Sequence, residues 1–250
     1  MSRVPHADDA AREVARLATR YELPAGAGEQ LLSLVELLAR DPLAPTTVRE
    51  PHQAVDDHLA DSLVALELDV VRSATTIADL GAGAGFPGLP LAIALPRSKV
   101  WLVESSTRKC RFIERAIAMC RVSNACAVHA RAESWTDGLA RFDLVTARAL
   151  APLAVVAEYA APLLRVDGAL VAWRGRREPD SEAAASLSAK QLGLKPAEPI
   201  RVAPYRAAKH RHLHLMFKVR ETPPGFPRRP GMAQKRPLGA ALPASDRRPR

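Results

Sequence analysis

From residue 76 onward, short apolar runs alternate with stretches of helical composition, and this alternation narrows the architecture more than any other feature of the chain. The runs read TIADL, KVWLVE, ACAVHA, FDLVTAR and GALVAWR, and the stretches after them cover 87–95, 106–122, 132–140, 152–164 and 178–192. Strands joined by helices at this spacing need crossover connections, which put parallel neighbours in one sheet with helices on both faces. After Pro199 two more strand-like runs, IRVAPY and HLHLMFKV, are separated by a gap the size of a hairpin loop, which predicts antiparallel neighbours.

Before residue 73 the period is helical. Val14, Leu17 and Ala18, then Leu31, Leu34, Val35 and Leu38, fall at the spacing of two amphipathic helices, with Leu23-Pro24 between them. Asp41-Pro42 and Ala44-Pro45 mark a loop, and a third helix is predicted over Gln53 to Val71. Beyond Glu221 the chain is too rich in Pro and charge for a packed element, so a flexible or lightly docked tail is predicted there. Three units follow: an N-terminal helical extension over 1–72, an α/β domain over 73–220 and a basic Pro/Arg-rich tail over 221–250.

With 48% hydrophobic residues the chain can bury a real core. Cys110, Cys120 and Cys126 lack C-x-x-C spacing, which argues against a disulfide framework or thiolate zinc site and fits a reducing cytoplasm. The start, MSRVPHADDA, carries charge where a signal peptide needs apolar residues, and no later apolar run approaches the roughly 18 residues of a membrane span. A soluble cytoplasmic protein is expected. His210, His212 and His214 alternate along one predicted strand with no acid or Cys beside them, so they read as the polar face of an edge strand and no metal is expected. The net charge of +9 is concentrated: residues 201–250 hold 13 basic and 2 acidic side chains, whereas the rest is slightly acidic. That asymmetry suits steering toward a polyanion such as nucleic acid; a solvated tail that aids solubility is the other reading.

The sharpest local signal is DLGAGAGFPG, Asp79 to Gly88, directly after the first strand and before a helix. Glycines there allow positive φ and close approach of backbone to a ligand. The dinucleotide fingerprint would need a third glycine where Phe86 stands, and the Gly-Lys-Ser/Thr of a P-loop is absent. Gly81-x-Gly83-x-Gly85 after an acid is instead typical of S-adenosylmethionine (AdoMet) sites. Glu104 ends the second strand 21 residues after Gly83, where a carboxylate accepts ribose hydroxyls. NAD would use the same acid. Ala132-Glu133, after the third strand, stands where such folds hold adenine, although Glu133 could equally cap a helix.

Several motifs in register resemble the RsmG (GidB) family of bacterial enzymes that methylate N7 of one guanine in 16S ribosomal RNA. The resemblance runs from about His58 to Leu238. His58-Leu59-Ala60-Asp61-Ser62 is similar to the family's His-x-x-Asp-Ser segment, and Asp79 to Pro90 is similar to its cofactor loop, Phe-Pro-Gly included. Glu104-Ser105, Arg131-Ala132-Glu133, Thr146-Ala147-Arg148-Ala149 and the tail Phe226 to Gly231 followed by Lys235 fill its remaining signatures. Asp57 replaces the family's usual Arg, Ala44-Pro45-Thr46-Thr47 stands near its Asn-Leu-Thr, and Ala172-Trp173-Arg174-Gly175 replaces its Ala-Leu-Lys-Gly.

The resemblance implies a class I methyltransferase fold, Rossmann-like, with a seven-stranded mostly parallel sheet. It implies AdoMet contact by Gly81, Phe86, Ala132, Glu133 and Arg148 as well as Glu104, with Gly83 in the same loop. The partner implied is 16S rRNA or an assembling small ribosomal subunit, met by a monomer. Candidate RNA contacts are His58, Asp61, Arg174, Arg228, Arg229 and Lys235; His58 and Asp61 could equally brace the cofactor loop, and Arg148 could be a salt-bridge partner. Guanine N7 is unprotonated at neutral pH, so no catalytic base is expected. The rival readings are an NAD-dependent oxidoreductase and an RNA-binding module with a vestigial pocket. Deletion of residues 223–250 is expected to weaken RNA binding and spare AdoMet.

Overall fold

The computed structural model describes residues 5–239, of which residues 5–8 by backbone only. The alternating runs form one sheet of strands β1 Thr76–Leu80, β2 Lys99–Glu104, β3 Ala125–His129, β4 Phe142–Arg148, β5 Leu164–Arg174, β6 Leu194–Pro196, β7 Ile200–Val202 and β8 Arg211–Lys218. The order is β3-β2-β1-β4-β5-β8-β6, with β7 also on β8; β1 to β5 are parallel and β8 is antiparallel to its neighbours. Eight strands replace the expected seven because one is broken. β6 and β7 occupy successive stretches of the same edge of β8, from Leu194 opposite Lys218 to Val202 opposite Arg211, and Pro199 between them has no N–H to give. The pairing of the IRVAPY and HLHLMFKV runs is antiparallel as predicted. β8 itself is not an edge strand, and His214 is buried.

The crossovers are α6 Gly88–Ala94, α7 Thr107–Met119, α8 Leu153–Ala160 and α9 Pro179–Leu192. The helix predicted over 132–140 is replaced by two 3-10 turns, Ala132–Ser134 and Thr136–Gly138. Trp135 folds back over Gly138, where an added Cβ would lie 2.6 Å from its ring, and this packing bends the chain out of a helical path.

Alternation along the strands sorts the core into two layers. Ile77, Leu144, Ala169 and Val171 face one layer, shared with α1 Pro5–Arg20, α2 Ala27–Arg40, α6 and α7. Ala78, Val145, Leu170 and Ala172 face the other, shared with α8, α9 and the C-terminal segment. The N-terminal helices therefore cover one face of the sheet and share its core.

The predicted third helix is present in pieces: α3 Pro51–Ala54, a π-helical turn over Val55–Ala60, α4 Asp61–Leu63, a 3-10 turn over Val64–Glu67 and α5 Asp69–Arg72. Glu50 caps its start, accepting from the backbone N–H groups of His52 and Gln53. All eight residues of α8 are buried, Glu158 among them, so this helix needs a cover on the side away from the sheet. Residues 226–239 supply it: Phe226 and Leu238 pack against that core layer, Ala233 of α10 (Met232–Lys235) is buried in it, and Arg228 forks onto the Glu158 carboxylate at 2.7 and 2.5 Å. Up to residue 239 the tail is thus docked more firmly than its composition suggests.

Candidate active site

The loop after β1 is shaped by three glycines at φ 66°, 60° and 92°, Gly81, Gly83 and Gly85. Asp79 anchors its underside. Its carboxylate accepts from the backbone N–H of Gly88 and from Thr146 Oγ1, both at 2.9 Å, and is fully buried. Burial pushes Asp79 up to about 7, outweighing those two donors. A carboxyl raised this way favours folding fully below its ordinary value of 3.8, and that advantage is lost as pH rises through about 7. Asp79→Asn should remove this dependence. Thermal midpoints of the native chain are expected to fall relative to the variant between pH 4 and 8; a constant difference would show that Asp79 titrates normally.

Glu104, at the end of β2, points at the loop. Its carboxylate accepts from Gly83 N–H at 3.1 Å and from Ser106 N–H at 2.8 Å, so it ties the glycine turn to the start of α7. Ser105 Oγ donates to the same carboxylate at 3.4 Å and Lys109 Nζ stands 3.9 Å away, so of its roughly four acceptor sites one, on Oε2, is left for a hydroxyl. A narrow crevice of about 90 Å³ lies against the turn, walled by Gly81, Val103, Ser105, Ala130 to Glu133, Leu150, Tyr159 and Gln234. Of the residues expected to touch AdoMet, Gly81, Ala132 and Glu133 stand on this wall. Leu150 narrows it: an added Cβ on Gly81 would lie 2.5 Å from Leu150 Cδ1.

Phe86 and Arg148 belong to a neighbouring cluster. The His58 ring stacks on Phe86 with centroids 4.5 Å apart, and the Arg148 guanidinium sits 5.5 Å from the same ring. Arg148 also donates to Asp57 O at 2.9 Å, Asp61 Oδ2 at 3.0 Å and His58 Nδ1 at 3.2 Å. Because an Arg only donates, His58 Nδ1 accepts, and its proton is on Nε2, 3.0 Å from Thr46 Oγ1. Burial, reinforced by Arg148, lowers His58 to about 4, so the ring is neutral at physiological pH. Asp61 bridges Arg148 and Arg211, and its carbonyl accepts from Trp173 Nε1 at 2.6 Å. Asp57, in the place of the family's usual Arg, accepts from Tyr205 OH at 2.6 Å. The π turn carries Asp57 and His58 and Asp61 follows it directly, a backbone irregularity of a kind frequent at functional sites.

This cluster forms one side of a second, broader cleft of about 530 Å³, whose other lining residues include Trp173, Arg174, Arg176 and Glu178. Both clefts open at the C-terminal ends of the parallel strands, where open sheets bind ligands. Arg228 is spent on Glu158 and Arg177 on Glu182 and Glu198, whereas Arg229, Lys235 and Arg236 are exposed on the docked tail. Sequence reasoning missed Leu150, Tyr159, Gln234 and Thr46 as site residues. Among the described residues no cluster of His, Cys, Asp and Glu could hold a metal ion, and no helix is long and apolar enough to cross a membrane.

A glycine-rich turn braced by a strand-end carboxylate, on a sheet of this order, defines a class I methyltransferase. The same fold is shared by a SAM-dependent methyltransferase from Aquifex aeolicus (TM-score 0.54, 13% identity, 75% of this chain and 98% of that one) and a SAM-dependent O-methyltransferase from Thermotoga maritima (0.53, 14%, 72% and 73%). Residues 30–205 match the family model for rRNA small subunit methyltransferase G, and the chain belongs to that family. It is 40% identical to the ribosomal RNA small subunit methyltransferase G of Rubrobacter xylanophilus over 199 residues, 76% of this chain and 75% of that one. The corresponding protein of Pelotomaculum thermopropionicum is 37% identical, with 77% and 82% covered.

Proposed function

We propose that this chain is an AdoMet-dependent methyltransferase that places a methyl group on N7 of a guanine in 16S ribosomal RNA, acting in the cytoplasm as a monomer. The observation that carries the reading is the pair of adjoining clefts: one built on the glycine turn, the other lined by Arg148, Arg174, Arg176 and Arg211 alongside Asp57, Asp61 and Glu178, with Phe86 and His58 between them. The positive-φ turn and the crevice wall at Ala132 and Glu133 suit a nucleoside carrying a short charged chain. When bound, AdoMet supplies a methyl group already activated on sulfonium.

Guanine N7 carries a free lone pair, so the protein has no proton to remove. Its task is alignment, which supplies up to roughly 7–11 kcal/mol of such a barrier. Arg148 and neutral His58 hold Phe86 of the cofactor loop against the wall of the basic cleft, fixing the two binding sites relative to each other. Arg174 and Arg176 place positive charge along that cleft.

Incorporation of labelled methyl from AdoMet into 16S rRNA, free or in small-subunit particles, tests the reading; binding of NADH in place of AdoMet by calorimetry would favour the oxidoreductase. With Arg177, Arg211 and Arg228 held by acids, the basic groups left for phosphate are Arg174, Arg176, Lys209, Arg229, Lys235 and Arg236. RNA affinity should then fall with salt at a log–log slope of about −4 to −5 for six contacts, read from binding titrations between 50 and 200 mM salt. A slope near zero would remove the phosphate contacts from the account.

A further inference from the structure

The C-terminal segment does more than cover α8. Three anchors fix it beside the cofactor crevice: Arg228 on Glu158, buried Ala233, and the Gly231 N–H, which donates to Glu133 Oε1 at 3.3 Å. Glu133 lines the crevice, and so does Gln234, three residues beyond Gly231, together with Ala132 and Tyr159. Gln234 is exposed, and its carboxamide makes no hydrogen bond among the described residues. A carboxamide offers an acceptor beside two donors, which matches the adjacent amino donor and ring-nitrogen acceptor of adenine.

We propose that Gln234 is a specificity-determining residue of the cofactor site, reading the adenine edge from a wall that the C-terminal segment adds to the sheet domain. The inference rests on the cofactor reading above. Glu133 is the alternative reader on that wall, but one of its oxygens is engaged by Gly231, and that bond holds Gln234 in place.

The test is calorimetric titration of the full chain and its Gln234→Ala variant with S-adenosylhomocysteine and with its analogue lacking the 6-amino group. For one lost neutral hydrogen bond the variant should bind S-adenosylhomocysteine about 5- to 10-fold more weakly. Removing the amino group should cost the native chain about 5-fold and the variant less than about 2-fold, the coupling that a merely structural residue would not show. The ligand-free melting temperature should not change, since Gln234 is exposed. Equal affinity of variant and native chain, or equal losses in both on removing the amino group, would overturn the inference. Absence of binding to the native chain would overturn the cofactor reading itself, and this inference with it.

Discussion

Valine in place of Gly81 is expected to abolish AdoMet binding while leaving the fold intact. Gly81 stands at φ 66°, a region that a β-branched residue enters only with strain of about 1–3 kcal/mol. Its Cβ would also fall 2.5 Å from Leu150 Cδ1, so the methyl groups would push Leu150 further across the crevice. The turn lies at the end of β1 and its backbone N–H is held by Val103 O at 2.8 Å, so the sheet has its own reasons to persist. Strain and blockage together should weaken binding by more than about 100-fold, near 3 kcal/mol. Calorimetry checks the affinity and a thermal melt checks the fold. Retained affinity would mean that the ligand does not sit on this turn.

Arg148→Ala should have the second large effect, on both stability and methyl transfer. The side chain is only 17% exposed and Asp61 only 9%, so its removal leaves a buried carboxylate shared with Arg211 alone. Breaking a buried pair in this way costs about 3 kcal/mol, which denaturant unfolding would read. The variant also loses the donor to His58 and the cation above Phe86. His58 should titrate above its present value of about 4, yet below an ordinary histidine, because burial is the larger cause and remains. Proton-detected titration of the ring checks this directly. Methyl transfer should fall by at least about 100-fold, since a misplaced site loses alignment that orientation otherwise supplies. Arg148→Lys should not rescue it, as an ammonium cannot reach Asp57, Asp61 and His58 in one plane.

Much of this was legible in the residues themselves. The alternation of apolar runs gave the parallel sheet, and Asp79 to Gly88 gave the turn at its C-terminal edge. The His58-x-x-Asp61 spacing suggested a shared helical face but concealed the π turn, because a change from i→i+4 to i→i+5 pairing leaves no mark in composition. Thr46 was visible only as a departure from a family pattern; its hydroxyl nonetheless meets His58. How firmly the tail docks was the least legible feature. Pro and charge density argued for a flexible or lightly docked segment, whereas a lone acid inside LAVVAEYA was the available clue that α8 needed a basic partner from elsewhere, and Arg228 is that partner. Because Gln234 on the same segment lines the crevice, deletion of residues 223–250 should now weaken AdoMet binding along with RNA binding, contrary to the sequence expectation.

The atom that receives the methyl group is the most direct test of the proposed function. Small-subunit rRNA incubated with AdoMet and either the native chain or Gly81→Val can be treated with borohydride and aniline, which cut RNA at N7-methylguanine. The account predicts one new cleavage site with the native chain and none with the variant. Methyl incorporation without such a site, or no incorporation by a chain that binds AdoMet, would contradict it.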